Sequence, residues 1–167
     1  CVGGRGVPVG GDGAVYFTDT GIRFSATGEM SHPGPDRIYK VDGRTLSVAV
    51  TFDSAIAPNG LAWDRANSRW LVLPFATNTI VAVGADGKPS PFATGVGQFD
   101  GAEQVRDGRW FVSSWADSSI YAIPAAGGTP SRVISGIASP ADIGYDTKRN
   151  RLLVPLFSGN KVEIYQL

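Results

Sequence analysis

A segment opening on Asn or Asp returns along this chain at intervals of 41 and 42 residues, and that period limits the fold more than any other feature. Asn59-Gly60-Leu61-Ala62-Trp63-Asp64, Asp100-Gly101-Ala102-Glu103-Gln104-Val105 and Asp142-Ile143-Gly144-Tyr145-Asp146 start three successive copies. Each is followed by a second run, Arg69 to Phe75, Arg109 to Trp115 and Arg151 to Phe157, and then by a third, Thr79 to Val83, Ser119 to Ile123 and Lys161 to Tyr165. These runs are short, rich in β-branched and aromatic residues, and bounded by Gly, Asn, Asp and Pro, which marks them as strands joined by turns. An earlier copy, Asp12 to Asp19, then Arg37 to Val41, then Leu46 to Val50, differs by an insertion between its first two runs. A sheet of three or four strands cannot bury both faces alone. A period near 42 residues is therefore the signature of stacked propeller blades.

Apolar residues nowhere keep helical spacing over a dozen positions, so the expectation is an all-β chain of one domain. Its blades fall at about 1–56, 57–97, 98–139 and 140–167. In the last, strands are expected near 141–146, 151–157 and 161–167, and residues 1–11 hold one weak strand around Val7 to Val9. Four blades with uncovered faces imply part of a larger ring, with the remaining blades of the same protein as the expected partner. The start at Cys1 and the single methionine at Met30 fit a processed or partial chain.

Composition removes several function classes. The 22 Gly and 11 Pro among 167 residues suit a turn-rich folded domain rather than disorder. Fifteen basic and fifteen acidic residues cancel without a like-charge block, so no nucleic acid or anionic membrane partner is expected. No apolar run is long enough for a membrane-spanning helix. One cysteine excludes an internal disulfide and a Cys-rich zinc site. The Gly-rich opening Val2-Gly3-Gly4-Arg5-Gly6 lacks the following helix and the Lys-Ser/Thr of a phosphate-binding loop.

Tyr16-Phe17-Thr18-Asp19-Thr20-Gly21, Ala57-Pro58-Asn59-Gly60, Gln98-Phe99-Asp100-Gly101 and Ser139-Pro140-Ala141-Asp142 stand in register with the period. Together they resemble the senescence-marker-protein, gluconolactonase and luciferin-regenerating-enzyme-like family, from about residue 9 to the end. The resemblance implies a six-bladed ring with one divalent metal on its axis and, in some members, lactonase or esterase activity. Carried over residue by residue, it implies that Asn59 and Asp100 are metal ligands. The family's third ligand, a Glu of the first blade, has no counterpart in the chain, and its Asn-Asp pair, expected near Arg5 and Gly6, is absent.

Oxygen ligands of this kind suit calcium first, with zinc, magnesium or manganese as alternatives. Asn and Asp before Gly also make ordinary turns, and that alternative stays open at this point. On the enzyme reading the ion polarises the carbonyl of a small lactone or ester, and Asp100 is both ligand and catalytic proton acceptor. Asp142, at the same repeat position, and His32, the sole histidine, within the insertion, are the candidate substrate-binding residues. His32 as an exposed loop residue is the competing expectation, and Asp19 reads as a strand-end turn residue. Trp63, Trp70, Trp110 and Trp115 are expected to fill space between blades, with a sugar-stacking platform as the alternative. A non-catalytic scaffold or ligand-binding propeller is the alternative function.

Overall fold

The computed structural model describes residues 7–167, so Arg5 and Gly6 lie outside the described residues. These residues form sixteen strands and no helix. β1 (Val15–Asp19) is followed by a small hairpin, β2 (Arg23–Phe24) and β3 (Met30–Ser31), which is the insertion. β4 (Arg37–Asp42) and β5 (Thr45–Thr51) then complete the first sheet, in the order β1-β4-β5. The second sheet is a meander of β6 (Pro58–Asp64), β7 (Arg69–Pro74), β8 (Thr79–Val83) and β9 (Pro89–Thr94). The third repeats it with β10 (Phe99–Gln104), β11 (Trp110–Ser114), β12 (Ser119–Ile123) and β13 (Ser131–Ser135). The fourth has β14 (Gly144–Asp146), β15 (Arg151–Leu156) and β16 (Lys161–Gln166). All strand pairs within these sheets are antiparallel.

The core sits between sheets, as a stack of blades requires. Tyr16 and Ile38 of the first sheet pack with Leu61, Trp70 and Val72 of the second. Leu71, Leu73 and Ile80 pack with Phe99, Trp110 and Val112 of the third, and Phe111 and Ile120 pack with Leu152 and Val154 of the fourth. Trp70 and Trp110 are buried at these seams as expected, at 7% and 2% exposure.

Turn chemistry explains the strand ends. Asp64 closes the β6–β7 turn by accepting from the Asn67 backbone N–H, the Asn67 amide and Arg69 Nε. Asp146 does the same for β14–β15 through the backbone N–H groups of Lys148 and Arg149. Such Asx turns hold a two-strand connection with no help from the core.

Two details differ from expectation. In the first sheet the innermost strand shrinks to a bridge between Val9 and Val15, flanked by Gly10 N–H to Ala14 O and Tyr16 N–H to Pro8 O. In the fourth, β14 starts at Gly144 rather than near 141, and only a Pro140–Leu156 bridge precedes it. Pro140 brings no N–H to a ladder, which interrupts the strand where Asp142 stands.

Candidate functional site

The innermost strands β6 and β10 lie side by side, and Asn59 and Asp100 sit at their first turn inward, at 2% and 3% exposure. Both residues lie within strands, so their following glycines do not serve a reversing turn. A Cβ on Gly60 would overlap the carbonyl oxygen of Asp100, and a Cβ on Gly101 would come within 2.5 Å of Asp142 Oδ1 and of the Ile143 backbone N. Each glycine is the gap through which the next blade's innermost segment approaches the axis.

Just outside these positions, Ala57, Gln98 and Ser139 all have left-handed backbone, with φ of 49°, 48° and 49°. A non-glycine residue there costs about 1 kcal/mol or more. The repeat holds each in place, because its carbonyl accepts the N–H of Phe75, Trp115 or Phe157 from the end of the neighbouring strand. The bend aims the chain into the channel. A bulge between Pro58 and Leu61, and another between Phe99 and Ala102, then resets the alternation of each strand.

One side-chain hydrogen bond closes each seam at this end, which we call the mouth. Thr18 Oγ1 donates to Asn59 O at 2.7 Å, Asn59 Nδ2 donates to Phe99 O at 3.1 Å, and Ser113 Oγ donates to Ala141 O at 2.9 Å. Ser113 Oγ also accepts from the Gly101 N–H. With its amide nitrogen so engaged, Asn59 keeps a buried Oδ1 that has no hydrogen-bond partner among the described residues. Phe75, Trp115 and Phe157 form an aromatic lip on the mouth, with ring centroids 5.7 and 5.3 Å apart. Trp115 thus belongs to the mouth rather than to a seam between sheets.

Along the channel wall, Glu103, Gln104 and Asp142 line a concave cavity of about 340 Å³ together with Trp63 and Trp110. Burial, and then the charge of Asp142, push the Glu103 carboxyl up to about 7. The Asp142 carboxyl remains reachable by solvent, yet the protein around it also raises its pKa. A larger cleft between Gly11, Tyr16 and Trp70 opens at the opposite end of the sheets. Its Asp12 carboxylate is already matched by Lys40 and Tyr16.

The insertion brings His32 to the mouth by another route. His32 Nε2 lies 2.5 Å from Asp36 Oδ1, and Asp36 Oδ2 accepts the Ala57 N–H at 2.7 Å. His32 is half-buried, so it is not simply an exposed loop residue. Asp19 accepts the Gly21 N–H, as a strand-end turn residue does. The structure therefore brings Asn59 against the backbone entering Asp100 and ties His32 to the same loop through Asp36, while Asp142 lines the wall. Among the described residues no three His, Cys, Asp or Glu side chains gather into a metal site.

Stacked antiparallel meanders of three and four strands around a concave axis define a β-propeller. No family model matches the sequence, and no curated protein does. Solved structures do match. A gluconolactonase from Xanthomonas campestris superposes with a TM-score of 0.73 at 21% identity, over 96% of this chain and 56% of its own. A luciferin-regenerating enzyme does so with a TM-score of 0.71 at 16% identity, over 95% and 53%. A chain of a nidogen–laminin complex reaches 0.77 at 17% identity, over 98% and 60%. The chain has the propeller fold of gluconolactonases and luciferin-regenerating enzyme, and spans a little over half the length of the proteins it matches.

Proposed function

We propose that the chain forms the mouth of a metal-dependent hydrolase of the lactonase or esterase type, acting on a sugar lactone or a related small ester. The observation that carries this reading is Asn59 Oδ1, an acceptor buried at the channel mouth with no partner among the described residues. Burying such an oxygen unmatched costs about 1–3 kcal/mol, which a cation placed against it would offset. Asp100 would supply a carboxyl oxygen from the adjacent strand. Asn and Asp oxygens suit a hard divalent ion, calcium before zinc, magnesium or manganese. A further carboxylate ligand would come from outside this chain.

When bound, the ion supplies Lewis-acid polarisation of an ester carbonyl. The chain's own residues supply the rest. Asn59 and Asp100 would hold the ion, and the Phe75–Trp115–Phe157 lip would take the carbon skeleton of the substrate. Asp142 accepts hydrogen bonds from hydroxyl groups of a sugar-derived substrate on the channel wall. Leu46, Val48, Val162 and Ile164, exposed at 60%, 50%, 53% and 58% on the outer strands of the first and fourth sheets, would be covered by further blades of the same protein.

A second reading, a non-catalytic binding propeller, is favoured by the similarity to a chain of a nidogen–laminin complex. Hydrolysis of small lactones separates the two, measured with each of the four cations and with chelator. The hydrolase reading expects turnover that chelator abolishes and that Asp100→Ala lacks. Turnover absent with every cation, or intact in the variant, would leave the binding reading.

A further inference from the structure

We propose that His32 and Asp36 are a proton-transfer pair at the channel mouth, with His32 Nδ1 as the base and Asp36 as its positioning residue. The assignment takes its substrate class, small esters, from the hydrolase reading above. The Asp36 side chain is 1% exposed and is the more buried member of the pair, while His32 keeps 23% exposure. With the Asp36 oxygen as acceptor, the short Nε2···Oδ1 contact assigns the imidazole proton to Nε2. That leaves Nδ1, which none of the described residues contacts by hydrogen bond, as a lone pair on a solvent-reachable ring. A buried carboxylate behind an imidazole sets its tautomer and stabilises the imidazolium that forms when the ring takes a proton.

The surrounding chain is shaped for this pair. A Cβ on Gly21 would collide with Asp36 Oδ1 and come within 3.0 Å of His32 Nε2, so the glycine keeps the contact accessible to the ring. Asp36 Oδ2 holds the Ala57 N–H, two residues before Asn59, which places the dyad on the mouth and not at the far end of the insertion. The same insertion carries the β2–β3 hairpin, with Phe24 and Met30 opposite each other and both 69% exposed.

In the step assigned to the pair, Nδ1 takes a proton from water as the water oxygen bonds to the ester carbonyl carbon. The bond from that carbon to the alcohol oxygen then breaks, and the departing oxygen takes the proton back from the imidazolium. Ester and water become acid and alcohol, and a lactone becomes the hydroxy acid. The proton-accepting role moves from Asp100 to His32, leaving Asp100 as a ligand.

The test uses the whole chain in chelator with p-nitrophenyl acetate, so that any contribution from a channel metal is silent. His32→Gln is expected to lower kcat at least about 100-fold with KM unchanged, and free imidazole to restore part of the rate to His32→Ala. Asp36→Asn should lower kcat as well, and if that variant fails to melt cooperatively the two His32 variants stand alone. Because the chain has one histidine, its nitrogen NMR signals are unambiguous, and the neutral ring should carry its proton on Nε2. Hydrolysis no faster than buffer, a His32→Gln rate within about twofold of the parent, or a proton on Nδ1 would overturn the assignment. Loss of chelator-sensitive lactone turnover with His32-dependent ester hydrolysis intact would instead overturn the metal reading alone.

Discussion

Asn59 and Asp142 occupy the same repeat position, one in the second blade and one in the fourth, yet their surroundings differ. Asn59 lies within a seven-residue strand, is sealed by β10 through Gly60, and is 2% exposed. Asp142 stands in a bend before a three-residue strand and remains solvent-accessible. Asp100, between them, is buried by the very segment that carries Asp142. Burial at this position is therefore conferred by the following blade's innermost segment, and the repeat residue itself only permits it. The glycine after Asn59 and Asp100 is the permission, and the fourth copy carries Ile143 at that position.

The largest effect that would break this contrast is predicted for Gly60→Ala, where the new Cβ meets backbone on a paired strand. It should cost about 3 kcal/mol or more in urea unfolding. Gly101→Ala should cost less, about 1–3 kcal/mol, because the 141–143 segment it meets is not held in a continuous ladder. Gly144→Ala, with nothing within 4 Å of the new Cβ and ordinary φ, should lie within about 0.5 kcal/mol of the parent. Equal losses at all three positions would contradict the account of the seams.

A second effect concerns the channel wall between the same blades. The Glu103 carboxyl is raised in the fold from 4.5 to about 7, so the folded state binds more protons than the unfolded state between those values. Its favourable contribution is present below pH 4.5 and is lost as pH rises through 7. Glu103→Gln should match the parent near pH 4 and exceed it by about 1–2 kcal/mol at pH 8, allowing for solvent in the channel. Denaturant midpoints across that range check the sign. Asp142→Asn should shrink the rise, since the Asp142 charge is the smaller of its two causes.

A further effect of modest size is expected at the seam hydroxyl. Ser113→Ala removes one bond to Gly101 N–H and one to Ala141 O, and should cost about 1–2 kcal/mol by thermal or chemical unfolding. A loss near zero would mean that solvent or backbone shifts replace both bonds.

Much of this architecture was legible in the residues. The 41- and 42-residue intervals gave the blades, and β-branched runs between Asp- and Gly-bearing turns gave most strands. The seams were not, because Asn-Gly and Asp-Gly in isolation spell a turn, and only the position of the next strand shows why glycine is needed. Ala57, Gln98 and Ser139 share a left-handed backbone imposed by the repeat, yet as three unrelated residue types they carry no local signal for it. Glu103 was hidden because the bulge after Phe99 resets strand alternation. His32 was singled out as the sole histidine, but its contact with Asp36 depends on how the Pro33-Gly34-Pro35 stretch folds back, which spacing alone does not encode.

The most direct test of the central claim, that the mouth formed by Asn59 and Asp100 holds a divalent cation, is thermal unfolding of the chain with chelator and then with calcium, zinc, magnesium or manganese. A cation at 100 times its Kd should stabilise the parent by about 2.7 kcal/mol, and Asn59→Ala and Asp100→Ala should each abolish that gain. A cooperative transition that no cation moves, or one moved equally in the parent and both variants, would contradict the claim.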